Sequence, residues 1–184
     1  MNARIALLCI PLVIAAAGCS RTMESASAEP KATSTTTDDA QLLARGEYLV
    51  RIAGCNDCHT PGYAESGGAV PKAQWLVGTP LGWNGPWGTT YPANLRLKLQ
   101  EMDEAAWLAY SASLHTRPPM PDFAVRTMTE TDRRAIYRFV RSLGAGGQPA
   151  PAYLPPGTRP PVPYVQWVLP PAAGAQPSGA SPAG

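Results

Sequence analysis

Cys55-Asn56-Asp57-Cys58-His59 reads C-x-x-C-H, and the order of its side chains carries chemistry. Two thiols separated by two residues match the two vinyl groups of a porphyrin, to which they bond covalently. The histidine directly after the second thiol lies under the iron and supplies one axial nitrogen. The stretch predicts one covalently attached haem c, held by Cys55 and Cys58 with His59 on the metal. Two other chemistries use the same thiol pair. A thioredoxin-like redox pair sits beside a βαβ pattern, and none is visible. A zinc site needs two further ligands, for which the chain offers His115, Cys9 and Cys19.

The N-terminus sets the compartment. Residues 1–18 carry one basic residue, Arg4, then the apolar run Ile5–Ile14, then the small residues Ala15-Ala16-Ala17-Gly18. This is the pattern of an export signal, and the run is too short for a spanning helix. Ala16-Ala17-Gly18-Cys19 resembles a lipobox, with Ala16 where leucine is usual. Cys19 is therefore the expected lipidation site, and Ser20 after it resembles lipoproteins sent to the outer membrane. Ala15-Ala16-Ala17 also suits ordinary signal peptidase, which would release a chain beginning at Gly18. With Cys9 lost in the leader, no pair remains for a structural disulfide. A large apolar cofactor would supply the missing nucleus. The formal net charge is +2, from 15 basic and 13 acidic residues, with no basic tract to suggest nucleic acid.

Composition divides the rest. Residues 19–37 are rich in Ser, Thr and Ala and read as a flexible tether. Residues 38–143 carry all the helical patterning and one C-x-x-C-H, and so form a single domain with one haem. Residues 144–184 are dominated by Pro, Gly and Ala. Within them Pro163–Pro170 carries aromatic and β-branched residues, which predict an extended run over the domain. From Pro171 onward disorder is expected.

Three main helices are expected. The first runs from a cap at Thr37 or Asp38 to about Ala53, with Leu42, Leu43, Tyr48, Leu49 and Ile52 inward. Gly46 weakens it, which implies that another helix comes close there. The second starts behind Asp103 and reaches about Leu114, with Trp107 and Leu108 inward. The third, Glu130 to Leu143, follows the capping pattern Thr129–Asp132 and ends at Gly144. Its buried face is Ala135, Ile136, Phe139, Val140 and Leu143. Arg133, Arg134, Arg138 and Arg141 line the other side as a solvated face or a partner patch.

Between the motif and the second helix, residues 60–100 form a long loop with five prolines and Trp75, Trp83 and Trp87. Loops of this length usually wrap something, here the porphyrin. Met120, framed by prolines in Arg117-Pro118-Pro119-Met120-Pro121, is the expected second axial ligand, because a stiff loop loses little entropy when its thioether is fixed. His115 is the alternative, while Met102 and Met128 read as packing residues. Arg96 and Asn94 are candidates to bond a propionate.

These features together resemble class I cytochromes c over Asp38 to Leu143: a helix, C-x-x-C-H, a proline-flanked methionine and a last helix. The resemblance implies an all-α cytochrome c fold, with long loops wrapped around one covalent haem. It also implies a crossing of first and last helices, in which Gly46 and Tyr48 match the first and Tyr137 the aromatic of the last. Gly88-Thr89-Thr90-Tyr91-Pro92-Ala93-Asn94 is similar to a haem-covering stretch in cytochrome subunits of bacterial membrane-bound dehydrogenases. Those subunits often carry three haems, and this chain has one motif. The expected function is single-electron transfer in the periplasm, from a dehydrogenase to a cytochrome or oxidase, on a membrane anchor at Cys19. Two alternatives are a haem enzyme or gas-binding protein with a labile Met120, and a fixed electron-relay subunit.

Overall fold

A close contact at Gly46 organises the helices. The computed structural model describes residues 31–168. The export signal, Cys19, the tether up to residue 30 and the end of the chain from residue 169 lie outside the described residues. Helix α1 (Lys31–Ile52) lies against α6 (Glu130–Ser142). A Cβ at residue 46 would fall 2.1 Å from the Ala135 carbonyl oxygen and 2.6 Å from the Phe139 Cβ. Only glycine permits this approach, which offsets a propensity cost of about 1 kcal/mol against alanine.

That contact decides which residues of α1 turn inward. With residue 46 facing α6, the buried row is Leu42, Gly46, Leu49 and Val50, the i, i+4, i+7, i+8 spacing of an amphipathic helix. Tyr48 and Ile52, expected inward, are 50% and 60% exposed, and Leu43 sits at the margin. The aromatic that meets Gly46 is Phe139, not Tyr137. Tyr137 is buried nearby and donates its hydroxyl to the Met102 carbonyl at 3.0 Å. Helix α1 starts at Lys31 rather than Asp38, since no Gly or Pro interrupts residues 31–45.

The other two expected helices form where their caps place them. Asp103 accepts from the Ala106 N–H at 2.8 Å and opens a helix at Glu104–Ala112. Thr129 accepts from the Asp132 N–H at 3.1 Å and opens α6. Ala135, Ile136, Phe139 and Val140 are its buried face. Its arginines are committed rather than simply solvated. Arg134 bridges Glu104 and Glu130, Arg138 also bonds Glu104, and Asp132 receives Arg45 from α1 at 2.9 Å. The Trp107 indole N–H donates to the Arg133 carbonyl at 2.8 Å, which locks the second long helix to the third.

The all-α expectation is incomplete. The described residues form six helices and a small three-stranded sheet. Besides those above, the short helices are α2 (Cys55–His59), α3 (Leu95–Lys98) and α5 (Asp122–Thr127), so that Glu104–Ala112 is α4. The long loop folds into a hairpin, β1 (Gly82–Gly85) and β2 (Gly88–Thr90). The C-terminal segment then supplies β3 (Tyr164–Gln166), parallel to β1 with Trp83 opposite Val165. The extended run expected after Pro163 is thus a strand of the sheet.

This segment holds the hairpin from both edges. Leu154 exchanges both backbone hydrogen bonds with Thr89 on the outer edge of β2, at 2.8 and 3.0 Å. On the outer edge of β1, Gly82 donates to Pro163 and Trp167 donates to Asn84. Its origin is fixed by two polar side chains from α3. Arg96, 8% exposed, donates to the carbonyls of Ala73, Leu143, Gly144 and Ala145, and Asn94 donates to those of Gly146 and Gln148. Both side chains are therefore spent on backbone, not held free for a propionate.

Candidate haem site

Gly54, at φ +68, turns the chain out of α1 and directly into the single turn of α2. That left-handed conformation is one that glycine adopts without strain. In a helical turn residues three and four apart share a face, so Cys55, Cys58 and His59 project together. Thr60 anchors the turn. Its hydroxyl donates to Asn56 Oδ1 at 2.7 Å and accepts from the Leu76 N–H at 2.8 Å. The Gly78 N–H bonds the His59 carbonyl at 2.8 Å.

The imidazole of His59 is buried, and its Nδ1 lies 2.7 Å from the Ala93 carbonyl oxygen. A carbonyl only accepts, so Nδ1 carries the proton and Nε2 keeps its lone pair. Burial, partly opposed by that hydrogen bond, pushes the ring's pKa down, which keeps it neutral. A neutral imidazole oriented through its second nitrogen is the form that ligates metal.

The thiols are tuned the other way from a redox pair. Burial pushes Cys55 up to about 11, and burial together with the nearby Asp57 raises Cys58. Both are thiols at neutral pH, whereas a thioredoxin-like pair depends on a lowered pKa. Among the described residues no group of three or more His, Cys, Asp or Glu side chains gathers into a metal-binding cluster. Thiols adjacent to a neutral, oriented imidazole are the groups that covalent haem attachment uses.

A cleft of about 340 Å3 opens beside Cys58, walled by Thr60, Thr79, Leu81, Trp83 and Pro163. Its volume is at the lower end of the roughly 300–1,000 Å3 of small-molecule sites. The indole N–H groups of Trp83 and Trp87 and the hydroxyl of Tyr91 are buried with no hydrogen-bond partner. Of these, Trp83 lines the cleft, and a buried unpaired donor there is costly unless an acceptor arrives. A haem carboxylate is an acceptor of that kind, so the Trp83 N–H beside the thiols fits the group. Sequence reasoning identified the tryptophans as apolar cover and missed their N–H groups. It also missed Ala93, whose contribution is a backbone carbonyl, and Pro163.

The remaining predicted residues are placed as follows. Met120 is half-buried and is not among the residues lining the cleft. Its loop is moored next to the cleft wall, since Thr90, the cross-strand neighbour of Trp83, donates its hydroxyl to the Pro118 carbonyl at 2.8 Å. The His115 side chain is 80% exposed and lies 3.9 Å from Asp122. Met102 and Met128 pack against the core cluster. Cys55, Cys58 and His59 are thus brought together, with Met120 on a neighbouring tethered loop. No protein-family model, curated protein or solved structure significantly matches this chain.

Proposed function

We propose that the chain is an exported single-electron carrier holding one covalent haem c through Cys55 and Cys58, with His59 and Met120 as axial ligands. The observation that carries this reading is the neutral, buried imidazole of His59, held through Nδ1 by the Ala93 carbonyl beside two protonated thiols. The contact of α1 and α6 at Gly46 supports the cytochrome c fold inferred for the domain. When bound, the haem supplies a one-electron couple between Fe(II) and Fe(III).

The protein's own residues would keep that couple stable. Cys55 and Cys58 would hold the haem covalently through thioether links to its vinyl groups, so that it would not dissociate. Ala93 fixes the rotation of His59, and Thr60 and Gly78 fix the backbone beneath it. Trp83, which lines the cleft, would donate to a propionate, which removes the cost of its unpaired N–H. Leu81, Trp83 and Pro163 exclude water from one side of the site. Burial and a thioether ligand both favour Fe(II), which places the potential on the positive side for haem c.

A carrier accounts for the surroundings of Met120 better than an enzyme does. The nearest acid–base candidate is Asp122, whose carboxylate is already held by the Thr116 N–H at 2.7 Å and by Arg126 at 2.8 Å. We propose further that Cys19 is lipidated and tethers the domain to the membrane facing the periplasm. A dehydrogenase would deliver electrons and a cytochrome or oxidase would accept them. The test is expression with a haem-attachment system, followed by acid-acetone extraction and pyridine haemochrome spectroscopy. Colour retained in the protein pellet, one haem per chain and a low-spin spectrum are expected. Colour in the acetone phase would overturn covalent attachment, and a high-spin oxidised spectrum would overturn the ligand pair.

A further inference from the structure

We infer that Tyr153, on the C-terminal segment, is a positioning residue for the Met120 loop. The inference rests on Met120 being an iron ligand. Residues 118, 119 and 121 are prolines and have no backbone N–H, so the loop can hold itself with few hydrogen bonds. It must be held from outside, and two grips are present. One is the Thr90 hydroxyl on the Pro118 carbonyl. The other is the Arg117 guanidinium, which lies 3.8 Å from the centroid of the Tyr153 ring. Among the described residues Arg117 forms no salt bridge, and its guanidinium stacks on this ring instead. The other cation–ring contacts in the described chain are longer, from 5.0 to 5.8 Å.

Tyr153 is itself rigidly placed. Its hydroxyl donates to the Trp87 carbonyl at 2.9 Å, and the next residue, Leu154, is paired on both sides with Thr89. Gly88 makes room for it, because a Cβ there would meet the Leu154 carbonyl oxygen at 2.3 Å and the Tyr153 ring at 3.0 Å. A continuous mechanical path therefore runs from the hairpin through Tyr153 and Arg117 to the prolines that carry Met120. The C-terminal segment fixes where the thioether sits and how readily it leaves the iron.

The experiment uses the full haem-loaded chain and reads cyanide binding to the oxidised protein, together with the near-infrared sulfur-to-iron band. Tyr153→Leu and Arg117→Gln are each expected to speed cyanide binding about tenfold and weaken the band, with the double variant no worse than either single one. Tyr153→Trp keeps a ring under the guanidinium and is expected to restore nearly the original behaviour. Trp167→Leu removes an aromatic contact of the same segment away from Arg117 and is expected to lower the melting temperature without changing cyanide binding. Folded Tyr153→Leu and Arg117→Gln proteins with unchanged cyanide binding would overturn the inference. So would a Trp167→Leu effect as large as theirs, which would mean general loosening. If the unsubstituted protein lacks the band, the assignment of Met120 fails first, and that failure is visible before any Tyr153 variant is made.

Discussion

An imidazole binds metal only through a nitrogen with a free lone pair, and in His59 one backbone carbonyl settles which nitrogen that is. The Ala93 oxygen takes the Nδ1 proton and burial keeps the ring neutral. Replacing Cys55 and Cys58 together by alanine is expected to leave no haem-stained band after denaturing electrophoresis and little folded protein. A stable, folded, colourless double variant would contradict a core built on haem. Met120→Ala is expected to abolish the near-infrared band, to admit carbon monoxide or cyanide, and to lower the potential. Met120→His is expected to restore six-coordination at a lower potential, because imidazole favours Fe(III) more than a thioether does. His115→Ala is expected to leave the spectrum unchanged, as its side chain faces solvent. Cys55, Cys58 and His59 could be proposed from sequence because their chemistry lies in side chains at fixed spacing. Ala93 was not, because a carbonyl oxygen belongs to every residue and only the fold selects one.

At the scale of helices, the contact between α1 and α6 is both the most constrained and the easiest to test. Gly46→Ala gains about 1 kcal/mol of helix propensity but drives a methyl into the Ala135 carbonyl, where backbone cannot yield cheaply. A net loss on the order of 2 kcal/mol is expected in denaturant unfolding. Glu104 offers a pH-dependent test between α4 and α6. Burial raises its pKa, but hydrogen bonds from Arg138 and Arg134 outweigh that and hold it below the ordinary value. A carboxyl lowered on folding contributes stability above its unfolded pKa of about 4.3, and the contribution is lost as pH falls through the folded value. Glu104→Gln is expected to lower stability by on the order of 1 kcal/mol at pH 7, with the difference from the unsubstituted protein narrowing by pH 3. Melting curves at the two pH values check this, and an equal gap at both would count against the pairing. Caps at Asp103 and Thr129 made these helices legible. The inward row of α1 was misassigned because hydrophobicity alone does not say that a glycine faces the partner.

At the scale of the whole molecule, the sheet joins distant parts of the chain, and that is why sequence patterning missed it. Strands of three and four residues are too short to show a period of two, and β3 lies among prolines that read as a tail. The same distance made Arg96 and Asn94 look like ligand donors, when most of their acceptors are carbonyls about fifty residues onward. Gly88→Ala tests the union directly. It forces a side chain into φ +94 and against Leu154, and it is expected to speed hydrogen exchange at the Leu154 and Trp167 amides at least tenfold, with α1 and α6 barely changed. Equal protection in both proteins would mean that the segment does not depend on this contact. The pairing of β1 with β3 has a further consequence in time. A chain synthesised from its N-terminus delivers Cys55, Cys58 and His59 well before Tyr164, and contacts between distant residues form slowly. Until β3 arrives, the part of the wall formed by Pro163 is missing and the outer edge of β1 is unpaired. The nascent protein thus passes through an interval in which Cys58 is more open from that side, and the interval ends when the last described strand docks. On the haem reading proposed above, attachment would belong to the unfinished chain and retention to the finished one.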